Sequence, residues 1–179
     1  MRLFIAIPLS EEVRNCLGML RDELHDRASS GTFVSSESLH ITLEFLGECT
    51  PPECDKAISA MQEVSFEPFT ISIAHTGAFH RSDGDICWVG VEENKALSRL
   101  HDDLARALRA QGFRLERERF KAHITLSRRV KGALLPSSVG PWRMKVNSFS
   151  LMLSERGAHG MVYTPVFSVS SASTQGTIE

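Results

Sequence analysis

The tetrapeptide His-Ile-Thr-Leu occurs twice in this chain, at His40–Leu43 and again at His123–Leu126. In both copies apolar and polar residues alternate, which is the period of two expected of a β-strand with one buried face. On such a strand the histidine and the threonine point to one side, while the isoleucine and the leucine enter a hydrophobic layer. The repeat therefore predicts two half-buried strands, each presenting an imidazole beside a hydroxyl.

The segments around the two motifs predict a chain that mixes helices and strands. An apolar run from Leu3 to Ile7 ends at Pro8 and indicates a first strand. Three helices are expected where a capping residue precedes an apolar stripe, after Ser10, Thr50 and Asn94. Residues 69–79 and 86–91 flank a polar turn, and this pattern is typical of a hairpin.

The C-terminal third predicts strands rather than helices. Residues 120–128 hold the second motif, and residues 144–153 and 162–169 are expected to pair across a turn at 157–160. The polar residues 170–179 are expected to form a flexible tail. No linker rich in Pro, Gly or Ser is long enough to separate independent domains, so we expect one α+β domain over residues 1–179.

Net charge, cysteine spacing and hydropathy exclude several classes of protein. The formal net charge is -2 at pH 7, whereas proteins that coat nucleic acid carry a broad excess of Lys and Arg. A nucleic acid would therefore be held locally. The four cysteines form no C-x-x-C pair, so we expect reduced thiols and a cytoplasmic protein. The N-terminal apolar run is far too short to cross a bilayer, and no membrane partner is expected.

Two histidines and two threonines are the groups that phosphodiester hydrolysis needs. One imidazole can accept a proton while another donates one, and each contribution is about 10²- to 10⁴-fold. The hydroxyls of Thr42 and Thr125 would donate hydrogen bonds to non-bridging phosphate oxygens. No carboxylate cluster lies beside either motif, and a strained cyclic phosphate is already activated. We therefore expect metal-free catalysis without a cofactor.

A basic segment surrounds the second motif. From Arg114 to Lys131 seven cations stand against two glutamates, which predicts a local phosphate-attracting patch. Arg128 comes five residues after His123, so strict alternation would turn it away from the histidine. Arg128 is a candidate phosphate ligand only if the strand ends or bulges before it.

These segments together resemble the two-histidine phosphoesterase superfamily, and specifically the bacterial and archaeal RNA 2′,3′-cyclic phosphodiesterases once called 2′-5′ RNA ligases. The resemblance extends over nearly the whole chain. It implies a bilobal fold, in which two pseudo-symmetric antiparallel-sheet lobes with outer helices flank a central cleft and each lobe carries one H-x-T-x motif. The stretches that carry the resemblance are 2–7, 39–48, 88–91, 100–101, 112–113 and 120–128.

The same resemblance implies roles for individual residues. His40 is expected to be the proton donor and His123 the proton acceptor, while Arg128 and Phe45 are candidate substrate contacts. The expected substrate is RNA with a 2′,3′-cyclic phosphate end, such as a tRNA half, or a cyclic nucleotide. The expected product is a 2′-phosphomonoester, and the expected state is a monomer.

Three places depart from the family pattern. Residues 33–36 stand where an aromatic residue followed by prolines is common, and His80 and Ala122 stand where proline is usual. None of them is a motif histidine or threonine. The departures therefore bear on loop shape and substrate preference rather than on the class of reaction.

Other functions are compatible with the same motifs. Run in reverse, the site could join a 2′,3′-cyclic end to a 5′-hydroxyl through a 2′-5′ linkage, or it could act on another cyclic or 2′-5′ linked nucleotide. A non-catalytic binder of RNA ends could use the same cleft without turnover. Outside the motifs, His25 and His101 are expected on the surface, and Trp88 and Trp142 are expected to pack rather than to stack on bases.

Overall fold

The structure, a computed structural model, describes residues 1–116, 119–158 and 160–172 of the 179-residue chain. The described strands are β1 (Arg2–Pro8), β2 (Ser30–Phe33), β3 (His40–Glu48), β4 (Phe69–Phe79), β5 (Asp85–Val91), β6 (His123–Lys131), β7 (Ser138–Val146), β8 (Ser148–Gly157) and β9 (Gly160–Ser170). The described α-helices are α1 (Glu11–Arg27), α2 (Pro51–Gln62) and α3 (Lys95–Ala110).

Each α-helix begins at the capping residue that the sequence predicts. The Ser10 hydroxyl accepts a hydrogen bond from the Val13 amide, and the Asn94 side chain accepts one from the Leu97 amide. The Thr50 amide donates to the Glu53 carboxylate at 2.7 Å, as in a capping box. These bonds satisfy amides that the first turn of a helix otherwise leaves without partners.

The strands form two antiparallel sheets, and each sheet carries one histidine motif. The four-stranded sheet has the order β3-β1-β8-β9, and the five-stranded sheet has the order β2-β6-β5-β4-β7. A shared hydrophobic core contains side chains from both sheets, such as Ile5 and Ile124, together with residues of all three α-helices. The predicted α+β architecture with two antiparallel-sheet lobes is confirmed.

The chain passes from one sheet to the other at Asn147. β7 ends at Val146 in the five-stranded sheet, and β8 begins at Ser148 in the four-stranded sheet. The prediction of one strand over residues 144–153 is therefore wrong. The alternation of buried residues shifts by one position here: Met144 and Val146 are buried before Asn147, whereas Phe149 rather than Ser148 is buried after it.

β2 and the first six residues of β7, 138–143, have no counterpart in the prediction. β2 is only four residues long and largely exposed, so its sequence shows no alternation. β7 contains Gly140 and Pro141, which are rare inside strands. The predicted pair at the C-terminal end is confirmed, because β8 pairs with β9 over residues 148–170.

Part of the predicted tail is held by backbone bonds. Ser170 ends β9, the Ser171 amide donates to the Asn147 carbonyl, and the Ala172 amide donates to the Phe66 carbonyl. The flexible tail expected over 170–179 stays a prediction, and residues 173–179 of it lie outside the described part of the chain. Arg117 and Glu118 of the basic segment and His159 lie outside it too. Among the described helices, none is both long and apolar enough to cross a membrane.

Candidate active site

The two motif histidines are held in the same way by the backbone. Nδ1 of His40 lies 2.7 Å from the carbonyl oxygen of Ser38, and Nδ1 of His123 lies 2.7 Å from that of Lys121. Each carbonyl belongs to the residue two positions before the histidine. Because a carbonyl can only accept, Nδ1 carries a proton in both rings, and a neutral ring keeps its lone pair on Nε2.

Both motif strands bulge at the fourth residue of the motif. In the pairing of β1 with β3, Ala6 faces Thr42 but Ile5 faces Glu44, so Leu43 is an extra residue. A bulge inserts one residue into a strand, and the face on which later side chains lie changes. After Leu43, the next side chain on the His40 side is therefore Phe45.

The second motif strand repeats this geometry. In the pairing of β5 with β6, Trp88 faces Thr125 but Cys87 faces Ser127, so Leu126 is the extra residue. Leu126 and Ser127 are both fully buried, as expected where the phase changes, and Arg128 is exposed. Because the strand bulges before Arg128, this side chain lies on the same side of β6 as His123.

Burial and nearby positive charge lower the pKa of both motif histidines. Burial is the largest cause for each, and the guanidinium of Arg128 contributes to both. The charge of His123 lowers the pKa of His40, and the charge of Lys121 lowers that of His123. The carbonyl hydrogen bonds oppose these shifts without cancelling them. Arg128 therefore acts electrostatically on both rings, and the lowered pKa values favour the neutral form of both.

His40 is packed between aromatic rings in the four-stranded sheet. Its ring centroid lies 4.8 Å from that of Phe4 and 5.3 Å from that of Tyr163. Its Nε2 lies 3.0 Å from the Thr42 hydroxyl. Tyr163 also lines a 60 Å³ pocket beside His40. Sequence reasoning missed Tyr163, since its only signal was being the single tyrosine of the chain.

His123 is packed against a corresponding aromatic pair in the five-stranded sheet. Its ring centroid lies 5.4 Å from that of Phe79 and 5.9 Å from that of Trp88. Trp88 is only 4% exposed, in agreement with its predicted packing role. The ring of Trp88 lies directly over Gly77, where an added Cβ would be 2.2 Å from it. Nζ of Lys121 lies 4.1 Å from the centroid of the Trp88 ring.

The Nε2 atoms of the two histidines differ in their surroundings. That of His40 bonds to Thr42, whereas that of His123 makes no hydrogen bond to Thr125 or to any other described residue. Thr125 lies on the same side of β6 as His123, two residues along the strand. The lone pair of a neutral His123 is therefore open to a bound molecule.

A cleft of 410 Å³ lies where the two motif strands come together. Thr42 and Phe45 line it from the four-stranded sheet, and Phe79 and His123 line it from the five-stranded sheet. Phe45 is 58% exposed and offers its ring to the opening. Arg128 is not among the residues that line this volume, so its link to the cleft is the charge it exerts on both histidines.

A buried ion pair beside the cleft was not predicted. Nε2 of His101 lies 3.0 Å from a Glu44 oxygen, Nδ1 lies 3.1 Å from an Asp102 oxygen, and the ring stacks on Phe120. Although burial opposes charge, the bonds to the two carboxylates outweigh it and raise the pKa of His101. The His101 side chain is only 15% exposed, so the surface role expected for it is wrong. The bulge at Leu43 turns Glu44 inward, and alternation alone could not show this.

Within residues 1–116, 119–158 and 160–172, no group of three or more His, Cys, Asp or Glu side chains is arranged to hold a metal ion. Of the four motif side chains, His123 and Thr42 line the cleft, together with cations and exposed aromatic rings. His40 lines the 60 Å³ pocket and is bonded to Thr42, and Thr125 lines neither volume. Such a set can transfer protons at a bound anion and hold that anion by hydrogen bonds and charge.

The two sheets with matched histidine strands define a bilobal class of protein, and comparisons identify the family. The family model described as the 2′-5′ RNA ligase superfamily matches residues 8–158. A protein of Archaeoglobus fulgidus called RNA 2′,3′-cyclic phosphodiesterase is 36% identical over 129 residues, which is 72% of each chain. One of the same name from Aeropyrum pernix is 33% identical and covers 88% of this chain and 96% of its own. The chain belongs to the 2′-5′ RNA ligase superfamily.

Solved structures show the same fold. Escherichia coli LigT complexed with 3′-AMP superposes with a TM-score of 0.84 at 25% identity, covering 96% of this chain and 98% of LigT. TT0787 of Thermus thermophilus also gives a TM-score of 0.84, at 28% identity, covering 95% of this chain and 97% of its own. The two-sheet architecture is therefore shared over nearly the full length of all three chains.

Proposed function

We propose that this protein hydrolyses 2′,3′-cyclic phosphate ends of RNA to 2′-phosphomonoesters. The observation that carries the proposal is the matched anchoring of His40 and His123, one on each sheet, with the charge of His123 and of Arg128 acting on the His40 ring. Two relatives at 33–36% identity bear the name of this activity.

The proposed reaction needs one proton acceptor and one proton donor on opposite sides of phosphorus. Water attacks phosphorus while Nε2 of neutral His123 accepts its proton, and this base fits because Nε2 lacks a protein partner. The bond from phosphorus to O3′ breaks, and protonated His40 donates its Nε2 proton to O3′. The products are a 2′-phosphate and a free 3′-hydroxyl. His40 ends neutral and His123 ends protonated, and exchange with solvent restores both.

The other proposed site residues bind the substrate rather than transfer protons. The hydroxyls of Thr42 and Thr125 donate to non-bridging oxygens, and the Arg128 charge stabilises the dianionic transition state. Phe45, exposed at the opening, stacks on the terminal base. Because the cyclic phosphate is strained and the two imidazoles supply the acid and the base, we propose that neither metal nor cofactor takes part.

The proposal is tested by analysing the products of 2′,3′-cyclic-ended RNA after incubation with the wild type, His40→Ala and His123→Ala. We expect a 2′-phosphate from the wild type and a loss of kcat of at least about 10²-fold in each variant. His80→Ala is the matched control, since His80 is 81% exposed and pairs only with Asp85 among the described residues. Full activity in either motif variant would contradict the assignment. Tight binding without product would show an RNA-end binder instead.

A second reaction at the same site is 2′-5′ ligation, which the family description favours. In this reaction the 5′-hydroxyl takes the place of water: Nε2 of His123 accepts its proton as the new bond to phosphorus forms, the bond from phosphorus to O3′ breaks, and protonated His40 donates its proton to O3′. Incubating a cyclic-ended RNA with a 5′-hydroxyl RNA, without nucleoside triphosphate, would reveal a joined product. Absence of joined product at high RNA concentration would leave hydrolysis as the only reaction.

We further propose that the active form is a cytoplasmic monomer. Both motifs and the cleft come from one chain, and the four cysteines are free thiols. Sedimentation of the active enzyme tests the monomer, and fractionation of cells tests the location.

A further inference from the structure

A groove along α3 opens into the cleft. It has a volume of 620 Å³, and Arg106, Arg109 and Arg119 line it together with His101 and Phe120. We call this surface the α3 groove. All of these residues except Arg106 also line the 410 Å³ cleft. The two volumes therefore form a continuous path that starts beside His123.

More cationic than anionic side chains line the α3 groove among the described residues. Arg109 and Arg119 form no ion pair and no side-chain hydrogen bond with another described residue, whereas Arg106 bonds to Asp103 at 2.8 Å. Among the described residues, Asp102 is the one carboxylate that lines the groove, and it is bonded to His101, while Glu116 lines the adjoining cleft. The groove therefore presents guanidinium groups to an anion, although the whole chain has a formal net charge of -2.

A second basic surface is a competing path. Arg27, Lys131 and the backbone around Gly132 line a volume of 740 Å³ near the β4–β5 turn. It shares only Arg81 with the cleft, and the Arg27 guanidinium is bonded to carbonyls of Glu23 and Leu134. Its continuity with the histidines is therefore much weaker than that of the α3 groove.

We propose that the α3 groove binds the single-stranded RNA that leads to the cyclic end, through its phosphates. This inference rests on the proposed function, because a cyclic phosphate at a 3′ end leaves the rest of the RNA to continue away from the cleft on its 5′ side. Guanidinium groups along a groove bind the phosphates of an RNA strand whatever its sequence, and neighbouring aromatic rings can stack on any base. The groove thus makes the enzyme prefer RNA ends over free cyclic nucleotides.

The test compares a mononucleotide 2′,3′-cyclic phosphate with a cyclic-ended RNA of about ten nucleotides. The variant carries Arg106→Gln, Arg109→Gln and Arg119→Gln together. We expect its ratio of kcat/KM for RNA to kcat/KM for mononucleotide to fall roughly tenfold or more. Arg99→Gln, on α3 but outside the groove, is the matched control, and Lys131→Gln tests the competing path. A fall with Lys131→Gln alone would move the RNA path to the β4–β5 turn and overturn the proposal.

A binding measurement separates the groove from catalysis. In a His123→Ala background, RNA affinity is measured against salt concentration for the triple variant and for Arg99→Gln. Each phosphate contact on a single strand contributes about 0.7 to the magnitude of the slope of log K against log salt concentration. The slope of the triple variant should therefore be smaller in magnitude by about 2. Equal slopes in both would overturn the groove proposal. If the wild type leaves cyclic ends intact, the proposed function fails while this comparison still tests the groove.

Discussion

His101 and Glu44 form an ion pair, with 3.0 Å between Nε2 and the carboxylate oxygen, that joins helix α3 to motif strand β3. The same imidazole stacks on Phe120, with 4.0 Å between ring centroids and 7° between planes. Phe120 precedes Lys121, whose carbonyl holds Nδ1 of His123. One charged side chain thus connects the segments that carry both motif histidines.

Replacing His101 by Gln should destabilise the fold by about 1–3 kcal/mol, because a buried carboxylate loses a charged donor. The folded-state pKa of His101 is raised, so its stabilisation is complete below pH 6.5 and is lost as pH rises through the raised value. The difference in unfolding free energy between wild type and variant should therefore be larger at about pH 5.5 than at about pH 9. Urea unfolding at both pH values measures it, with His80→Gln as the exposed control.

An equal difference at both pH values would show that His101 stabilises the fold by packing on Phe120 alone. Glu44→Gln should lose the same pH-dependent part of the unfolding free energy as His101→Gln, since it removes the other half of the pair. The variant that carries both changes should then lose less unfolding free energy than the two single variants lose in sum.

The pH dependence of kcat/KM should be bell-shaped with a maximum below pH 6.5. The productive free enzyme carries one proton on the histidine pair, and the pKa of each ring is lowered from 6.5. Arg128→Gln removes a positive charge that acts on both rings, so both limbs should move to higher pH while kcat falls. A profile of Arg128→Gln that is lower but unshifted would place Arg128 too far from the rings to act on them.

Phe45→Ala should raise KM and lower kcat/KM for nucleotide substrates by roughly 5- to 150-fold, because stacking of a base on an aromatic ring contributes about 1–3 kcal/mol. Thermal unfolding should change little, since Phe45 is 58% exposed. Met19→Ala is the matched control, an apolar side chain that is 68% exposed on α1. Unchanged KM in Phe45→Ala would rule out the stacking role.

Gly77→Ala should destabilise the protein by about 1–3 kcal/mol and lower kcat, because the new methyl group would meet the Trp88 ring against which His123 packs. Adding Trp88→Phe provides a smaller ring and should recover part of the stability. Recovery is measured by thermal unfolding and by kcat. If the double variant is no more stable than Gly77→Ala, the cost of the alanine arises elsewhere.

Local patterns in the sequence were sufficient to predict the three helices and the two motif strands. Ser10 and Asn94 cap their helices through bonds that involve only neighbouring residues, and Ile41 and Ile124 are buried as alternation requires. The features that the sequence did not predict depend on pairing between distant segments. β2, with four largely exposed residues, is positioned by its pairing with β6 and by the packing of Phe33.

The bulges explain why part of the site was not predictable. Alternation places Glu44 on the histidine side and Arg128 on the buried side, and the extra residues Leu43 and Leu126 reverse both assignments. The reversal buries Glu44, which then requires a partner such as His101. A bulge is set by the register against a neighbouring strand, so a single strand's pattern does not contain it.

The central claim is that His40 donates a proton to the leaving oxygen while His123 activates water at the same phosphorus. The most direct measurement uses a cyclic substrate in which sulfur replaces O3′, because a thiolate leaves without a proton. His40→Ala should hydrolyse this analogue at close to the wild-type rate, whereas His123→Ala should stay at least about 10²-fold slower. If sulfur restores His123→Ala instead, or restores neither variant, the assignment of acid and base to these two histidines is contradicted.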